Sequence, residues 1–174
     1  MIFKRHKAVD AAALADRIAA ARAGGGDPQA LLMDLARLIG EGFGADGCDI
    51  YRQAPDAAAL QAAATWPAPG EEDISWLGTP YPLSEWPSMQ AALGTPAPIE
   101  LRVDGPGFSE RERRDLVAWG ILVTLGVRLE VEGRIVGLLV LNRRHARSFD
   151  ADERELVRLC APPVASAVDW AGGH

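Results

Sequence analysis

The chain has 174 residues, enough for one domain with a substantial core, and its 48% hydrophobic and 24% charged residues are typical of globular proteins. Its formal charge of −6 argues against general binding to nucleic acids or anionic membranes, so we expect neither as a partner. No segment approaches the roughly 18–20 consecutive apolar residues of a membrane span.

The first residues and the cysteines indicate the cellular compartment. The stretch MIFKRHKAV is basic but lacks the apolar region of a signal peptide, which predicts a cytoplasmic protein. Cys48 and Cys160 have no metal-type spacing, so we expect reduced, buried thiols. Lysine occurs only at Lys4 and Lys7 whereas arginine and alanine are abundant, which favours a GC-rich bacterial source.

Two helices are predicted before the first strand. Residues 8–23 form an alanine-rich helical segment, and the three glycines that follow end it. Asp27 followed by Pro28 is typical of a helix start, because aspartate accepts from free N–H groups and proline fits the first turn. The apolar residues that follow recur at helical spacing and predict one buried stripe of Leu31, Leu32, Leu35, Leu38 and Ile39.

The middle of the chain predicts only short elements. Residues 48–52 and 60–66 are predicted strands separated by a turn. Residues 67–98 are rich in Pro, Gly and Trp, which excludes long regular elements, although one short helix capped by Ser84 fits there. Residues 99–103 form the next predicted strand.

Two capping boxes mark the helices of the second half. Ser109 with a glutamate three residues later starts a helix that reaches Trp119, and Asp150 starts the last helix in the same way. Pro162 and Pro163 lie within that last helix. Each costs about 3 kcal/mol in a helix interior, so we expect the helix to break near Ala161.

Residues 121–142 form the most apolar stretch and predict a central hairpin that turns at Glu132-Gly133. With regular pairing, Val131 lies opposite Arg134 and Val123 opposite Asn142, which leaves an aliphatic face for covering helices. The other face carries Thr124, Gly126, Arg128 and Glu130, with Arg128 opposite Gly137. The order of elements predicts an α+β fold with an antiparallel sheet.

Taken together, several segments resemble a bacterial GAF domain over about residues 28–171. In chain order they are LLMDLARLIGEGFGADGCDIY, YPLSEWPSMQAALGTPAPIEL, SERERRDLVAWGI, LEVEGRIVGLLVL and RSFDADERELVRLCA. The resemblance implies a roughly six-stranded antiparallel sheet with terminal helices on one face and a loop- and short-helix-covered pocket on the other. Residues 1–27 would then form an N-terminal helix and Gly-rich linker, ahead of a GAF-like domain of residues 28–171.

Arg128 departs from the family pattern, which often has proline at this position. A guanidinium presented to the pocket would favour an anionic ligand, whereas a nearby acid such as Glu130, Asp104 or Glu100 would neutralise it. Aromatic residues of the middle region, Trp66 and Trp76 among them, either line the pocket or fill it. The candidate ligand-binding residues are Arg128, Thr124, Trp119, Tyr81, Trp86 and Tyr51.

The resemblance implies a stand-alone, non-enzymatic sensory or regulatory domain. It would bind a small molecule, anionic if Arg128 faces it, and signal through a homodimer or a partner protein. The alternatives are a structural dimerisation module with a vestigial pocket, and an enzyme like free methionine sulfoxide reductase, which needs clustered cysteines. Neither cysteine lies in a bilin-attachment motif, the NKFDR pattern of cyclic-nucleotide-binding relatives is absent, and His145 has no companion ligands. Bilin, haem and metal cofactors therefore have no support.

Overall fold

The computed structural model describes residues 9–67 and 75–173, so the expectation for the basic N-terminal stretch falls almost entirely outside the described residues. The predicted α+β architecture is confirmed. The helices and strands are α1 (Ala11–Ala23), α2 (Pro28–Phe43), β1 (Gly47–Gln53), β2 (Ala59–Trp66), β3 (Pro80–Pro82), α3 (Pro87–Leu93), β4 (Ile99–Arg102), α4 (Glu110–Ala118), β5 (Val123–Val131), β6 (Arg134–Arg143) and α5 (Ala151–Gly172).

One antiparallel sheet organises the described residues, with the strand order β3-β2-β1-β6-β5-β4. The β5–β6 hairpin and β1 form its centre. Helices α1, α2 and α5 pack on one face and enclose the larger hydrophobic core, while α3 and α4 lie against the opposite face. No helix in the described part of the chain has the length and apolarity that a bilayer span requires.

The caps predicted from sequence form as expected. The Asp27 carboxylate accepts from the backbone N–H groups of Gln29 and Ala30 at the start of α2. Ser109 and Asp150 each form a reciprocal capping box, at the starts of α4 and α5. The predicted cap at Ser84 is wrong, because α3 begins later, after Trp86, with Pro87 in its first turn.

The predicted break at Pro162-Pro163 is also wrong, because α5 runs without interruption through both prolines. A proline lacks the N–H that would bond to the carbonyl four residues earlier, which here belongs to Arg158 or Leu159. Both of those residues are exposed, so water can reach their carbonyl groups. Buried residues before and after the prolines lie on one face of the helix, and their burial outweighs the cost: Val157, Cys160, Ala161, Val164, Ala165 and Val168.

The central hairpin has the predicted turn but not the predicted register. Glu132 and Gly133 have φ angles of 50° and 76°, as a tight turn between twisted strands requires. A β-bulge next to Leu129 inserts Val136 as an extra residue, so that Leu129 pairs with Gly137 and Arg128 with Leu138. From Gly137 onward, the faces of β6 are therefore opposite to those predicted.

This register shift decides which side chains of β6 face which layer. Leu139 and Leu141 join the core under the helices, while Leu138, Val140 and Asn142 face α3 and α4. The faces of β5 are as predicted, with Val123, Leu125, Val127 and Leu129 in the helix-side core. The polar side of the hairpin thus combines Thr124 and Arg128 of β5 with Asn142 of β6, which regular pairing had assigned to the other face.

Candidate functional site

A cavity of about 840 Å³ lies between the sheet and the helices α3 and α4. Its floor is formed by side chains from the centre of the sheet, among them Tyr51, Thr124 and Leu138. Its roof is formed by Met89 and Ala92 of α3 and by Leu116 and Trp119 at the end of α4. Gly126 lies in the floor, where an added Cβ would lie 3.6 Å from the Ala92 Cβ of α3.

Asp49 is the polar centre of the floor. Its Oδ1 accepts a hydrogen bond of 2.8 Å from the Thr65 hydroxyl, and its Oδ2 accepts one of 2.8 Å from the Asn142 side-chain amide. Burial raises the pKa of Asp49 to about 6, and these two hydrogen bonds act in the opposite direction. The cavity therefore contains a carboxylate whose charge is incompletely compensated.

Aromatic rings continue from this carboxylate to the mouth of the cavity. The ring centroids of Tyr51 and Tyr81 are 5.6 Å apart, and those of Tyr81 and Trp86 are 5.2 Å apart, both in edge-to-face geometry. Trp86 and Trp119 are nearly parallel with centroids 6.5 Å apart, and Trp119 is 49% exposed. Burial, and secondarily the charge of Asp49, raises the pKa of both tyrosines, so their phenols stay protonated near neutral pH.

Helix α3, which carries part of the roof, is held at both ends. At its start, Glu112 of α4 accepts from the backbone N–H of Ser88 at 3.0 Å and from the Ser88 hydroxyl, while also closing the Ser109 capping box. At its end, the Arg128 Nη1 donates to the carbonyl oxygen of Leu93 at 3.3 Å. Glu112 is completely buried, so α3 and α4 form one connected cover over the cavity.

The sequence and the fold of this chain can now be compared with those of known proteins. A model of the GAF domain family matches residues 27–168, which is most of the chain. The chain belongs to the GAF domain family. A search among curated proteins found no match.

Solved GAF domains share the whole fold of this one. The phycoerythrobilin-bound GAF domain of a cyanobacterial phytochrome is 16% identical with a TM-score of 0.76, covering 95% of this chain and 97% of that one. The GAF domain of a phosphoenolpyruvate-protein phosphotransferase from Coxiella burnetii is 16% identical with a TM-score of 0.73, covering 94% and 95%. At such identities the likeness establishes the fold alone.

The structure brings most of the predicted site residues of this GAF domain together. Thr124, Trp119, Tyr81, Trp86 and Tyr51 all line the cavity. Arg128 does not belong to the lining, although it lies on the same side of the sheet. Its Nη2 is 2.8 Å from the Glu130 carboxylate, which is the neutralising partner considered as the alternative, and its Nη1 caps α3.

Two of the other aromatic residues separate in the structure. Trp66 and Trp76 both border the cavity, but the ring of Trp66 lies against Gly40 of α2, on the helix side of the sheet. An alanine Cβ at Gly40 would lie 2.2 Å from the Trp66 Cε3, so only glycine accommodates this ring. Trp66 therefore fills the helix-side core.

The sequence analysis missed the polar centre, Asp49 with Thr65 and Asn142. The sequence did contain a signal for Asp49. It is a charged residue flanked by Cys48 and Ile50 in β1, and β1 lies between β2 and β6 in the sheet. Asn142 was assigned to the helix side because the bulge in β6 was not foreseen. Within the described residues, no group of His, Cys, Asp and Glu side chains is placed to hold a metal ion.

The raised pKa of Asp49 gives an expected pH dependence of stability. The folded state, with a pKa of about 6, binds this proton more tightly than the unfolded state, near 3.8. The contribution of Asp49 to stability is therefore fully present below pH 3.8 and is lost as the pH rises through 6. Asn at this position does not titrate, so Asp49→Asn should gain stability relative to the parent as the pH rises from 4 to 7.5, by about 1–2 kcal/mol because Asp49 is only partly buried.

Urea denaturation of both proteins at several pH values measures this difference, and groups that titrate identically in the two proteins cancel. A difference in unfolding free energy that stays constant from pH 4 to pH 7.5 would contradict the burial of an ionised Asp49.

Proposed function

We propose that this GAF domain is a non-enzymatic sensory or regulatory domain that binds a small organic molecule in the cavity beneath α3 and α4. The observation that carries the proposal is a cavity of about 840 Å³ with aromatic walls and a group of polar side chains that converge on Asp49. Ligand sites in proteins typically have volumes of about 300–1,000 Å³ and this mixture of apolar walls with few polar groups.

The placement of Arg128 gives an anionic ligand no support. The expectation of such a ligand depended on a guanidinium presented to the pocket by Arg128. Arg128 is instead paired with Glu130 and the end of α3, outside the cavity lining. The charged residues that line the cavity are Asp46, Asp49 and Arg144, and Asp49 lies on the central strand β1.

The position of the cysteines supports a non-enzymatic role and a reversibly bound ligand. Cys48 and Cys160 are both buried in the core under the helices, and neither lines the cavity. Burial raises the pKa of both thiols, to about 12 for Cys160, which keeps them in the unreactive protonated form. This arrangement argues against thiol-dependent sulfoxide reduction and against covalent attachment of a bilin like that bound by the phytochrome relative.

Filling the cavity tests the proposal. Gly126→Phe adds a ring to the cavity lining between β5 and α3, so a ligand of this cavity should stabilise the parent protein thermally and lose that effect in the variant. Gly126→Ala is the matched control, because its Cβ would lie 3.6 Å from the Ala92 Cβ, an ordinary contact. A broad metabolite library screened by thermal shift, with native mass spectrometry of the purified protein, supplies the candidate ligands.

Two outcomes would count against ligand binding at this site. A compound that stabilises Gly126→Phe as much as the parent binds elsewhere. Failure of the whole library, together with a purified protein of the mass given by its sequence, would instead favour a structural module with a vestigial pocket.

We further propose that ligand binding changes self-association or the binding of a partner protein. The support is the position of the cavity, which shares its sheet with the terminal helices α1 and α5 on the opposite face. Light scattering with and without a ligand measures self-association. A monomer under both conditions would leave a partner protein as the route of signalling.

A further inference from the structure

The inference concerns the chemical class of the ligand and rests on the proposed function. We infer that the cavity selects an organic cation, with an ammonium, amidinium or guanidinium group that pairs with Asp49 and a planar or apolar body among the aromatic rings.

The carboxylate of Asp49 has neutral hydrogen-bond donors but no described cationic partner. Thr65 and Asn142 each donate one hydrogen bond, and neither carries charge. No ion pair joins Asp49 to any arginine in the described part of the chain. Asp49 is partly buried, and a charge with reduced access to water is costly unless it is paired, so a ligand that brings the opposite charge gains a favourable ion pair.

The rings beside Asp49 favour the same charge. The carboxylate is close enough to Tyr51 and Tyr81 to raise the pKa of both phenols. Aromatic faces attract cations through their negative quadrupole, by about 2 kcal/mol or more where water is excluded. An anionic ligand would instead place a second negative charge beside Asp49, which the low local dielectric makes unfavourable.

The shape of the cavity defines the rest of the ligand. Beyond Asp49 and the polar side chains around it, the lining includes apolar and aromatic residues such as Leu138, Val140 and Trp76. Trp86 and Trp119 stack on each other in the lining, and the half-exposed Trp119 ring offers a surface for a flat group. A compact cationic head with a planar body fits this combination, whereas a small inorganic cation would leave most of the cavity unfilled.

A matched set of three probes tests the inference: benzamidine, which is cationic, benzamide, which is neutral, and benzoate, which is anionic. All three have the same planar ring and nearly the same size. At pH 7.5 we expect benzamidine to bind the parent protein at least about tenfold more tightly than the other two, a difference of about 1.4 kcal/mol. Isothermal titration calorimetry measures the three affinities.

Two variants assign that preference to Asp49. Asp49→Asn keeps the shape of the side chain and removes its charge, so it should reduce the preference for benzamidine to less than about twofold. Asp152→Asn removes the same charge from the exposed start of α5, on the opposite side of the sheet, and should preserve the preference. An equal loss in both variants would indicate a net-charge effect and overturn the inference.

The pH dependence of the parent protein supplies a readout that needs no variant. Benzamidine stays charged throughout, and it pairs with the carboxylate form of Asp49, so its affinity should fall about tenfold between pH 7.5 and pH 5. The other titratable or charged side chains in the described lining are Asp46, Tyr51, Tyr81 and Arg144. Any pH dependence that persists in Asp49→Asn would belong to these groups.

The outcomes separate this inference from the proposed function. If benzamide or benzoate binds as tightly as benzamidine, or if benzamidine does not bind, the cationic class is wrong. A neutral or anionic library compound whose binding is abolished by Gly126→Phe would then still identify the cavity as a ligand site. Failure of the probes and of the whole library would end both proposals.

Discussion

Replacing Gly137 with alanine is expected to lower the free energy of unfolding by about 3 kcal/mol or more. Gly137 pairs with Arg52 of β1, and a Cβ at this position would lie 2.0 Å from the carbonyl oxygen of Tyr51. That oxygen belongs to the backbone of a paired central strand, so it cannot rotate away as a side chain does. Strands β1 and β6 would have to separate locally and lose ladder hydrogen bonds.

Chemical denaturation measures this effect, and Gly126→Ala in the same hairpin is the matched control. The added methyl group at Gly126 makes only ordinary contacts, at 3.6 Å from Ala92 and 3.8 Å from Leu138. Its alanine variant should therefore be within about 0.5 kcal/mol of the parent or slightly more stable, because alanine loses less backbone entropy on folding. Equal stability of the two alanine variants would contradict the close approach of β1 to β6.

Replacing Glu112 with alanine is the second change with a large expected effect, a loss of about 3 kcal/mol in unfolding free energy. The Glu112 carboxylate accepts from Ser88 at the start of α3 and from the Ser109 backbone N–H at 2.7 Å. Because Glu112 is completely buried, the variant would leave these donors without a partner and away from water. The start of α3 should detach from α4 before the sheet unfolds.

Amide hydrogen exchange distinguishes this local effect from a general loss of stability. The amides of α3 should lose protection in Glu112→Ala, while those of β5 and β6 retain most of theirs. Glu110 lies two residues earlier in the same first turn and is exposed. Glu110→Ala therefore removes a charge from the same helix start and should cost less than about 1 kcal/mol. Unchanged exchange in α3 would show that Glu112 does not hold this helix.

Local signals were sufficient for most of the fold. The capping boxes at Ser109 and Asp150 and the turn at Glu132-Gly133 depend on residues within a few positions of each other, and the structure has them as predicted. The helix through Pro162 and Pro163 could not be predicted in this way. Its continuity depends on packing against distant parts of the chain, which outweighs the local preference.

The residues of the site could not be predicted from the pattern of any single strand. Either Val136 or Gly137 can pair with Leu129 by hydrophobic pattern alone. The close approach of a third strand, β1, requires glycine at the position beside Tyr51 and so selects the bulged register. That choice places Asn142 beside Asp49. The role of Arg128 likewise depends on where the end of α3 lies, 35 residues earlier in the chain.

Alternate side chains of β1 lie on opposite faces of the sheet, so this strand contacts both the cavity and the helix layer. Asp49 faces the cavity, while its neighbours Cys48 and Ile50 lie in the core that α2 and α5 enclose. The Asp49 carboxylate and the helix layer thus lie on opposite faces of the same strand, separated only by its backbone. β1 contacts α2 directly, so we expect a small displacement of β1 to be passed to α2 through the close-packed core.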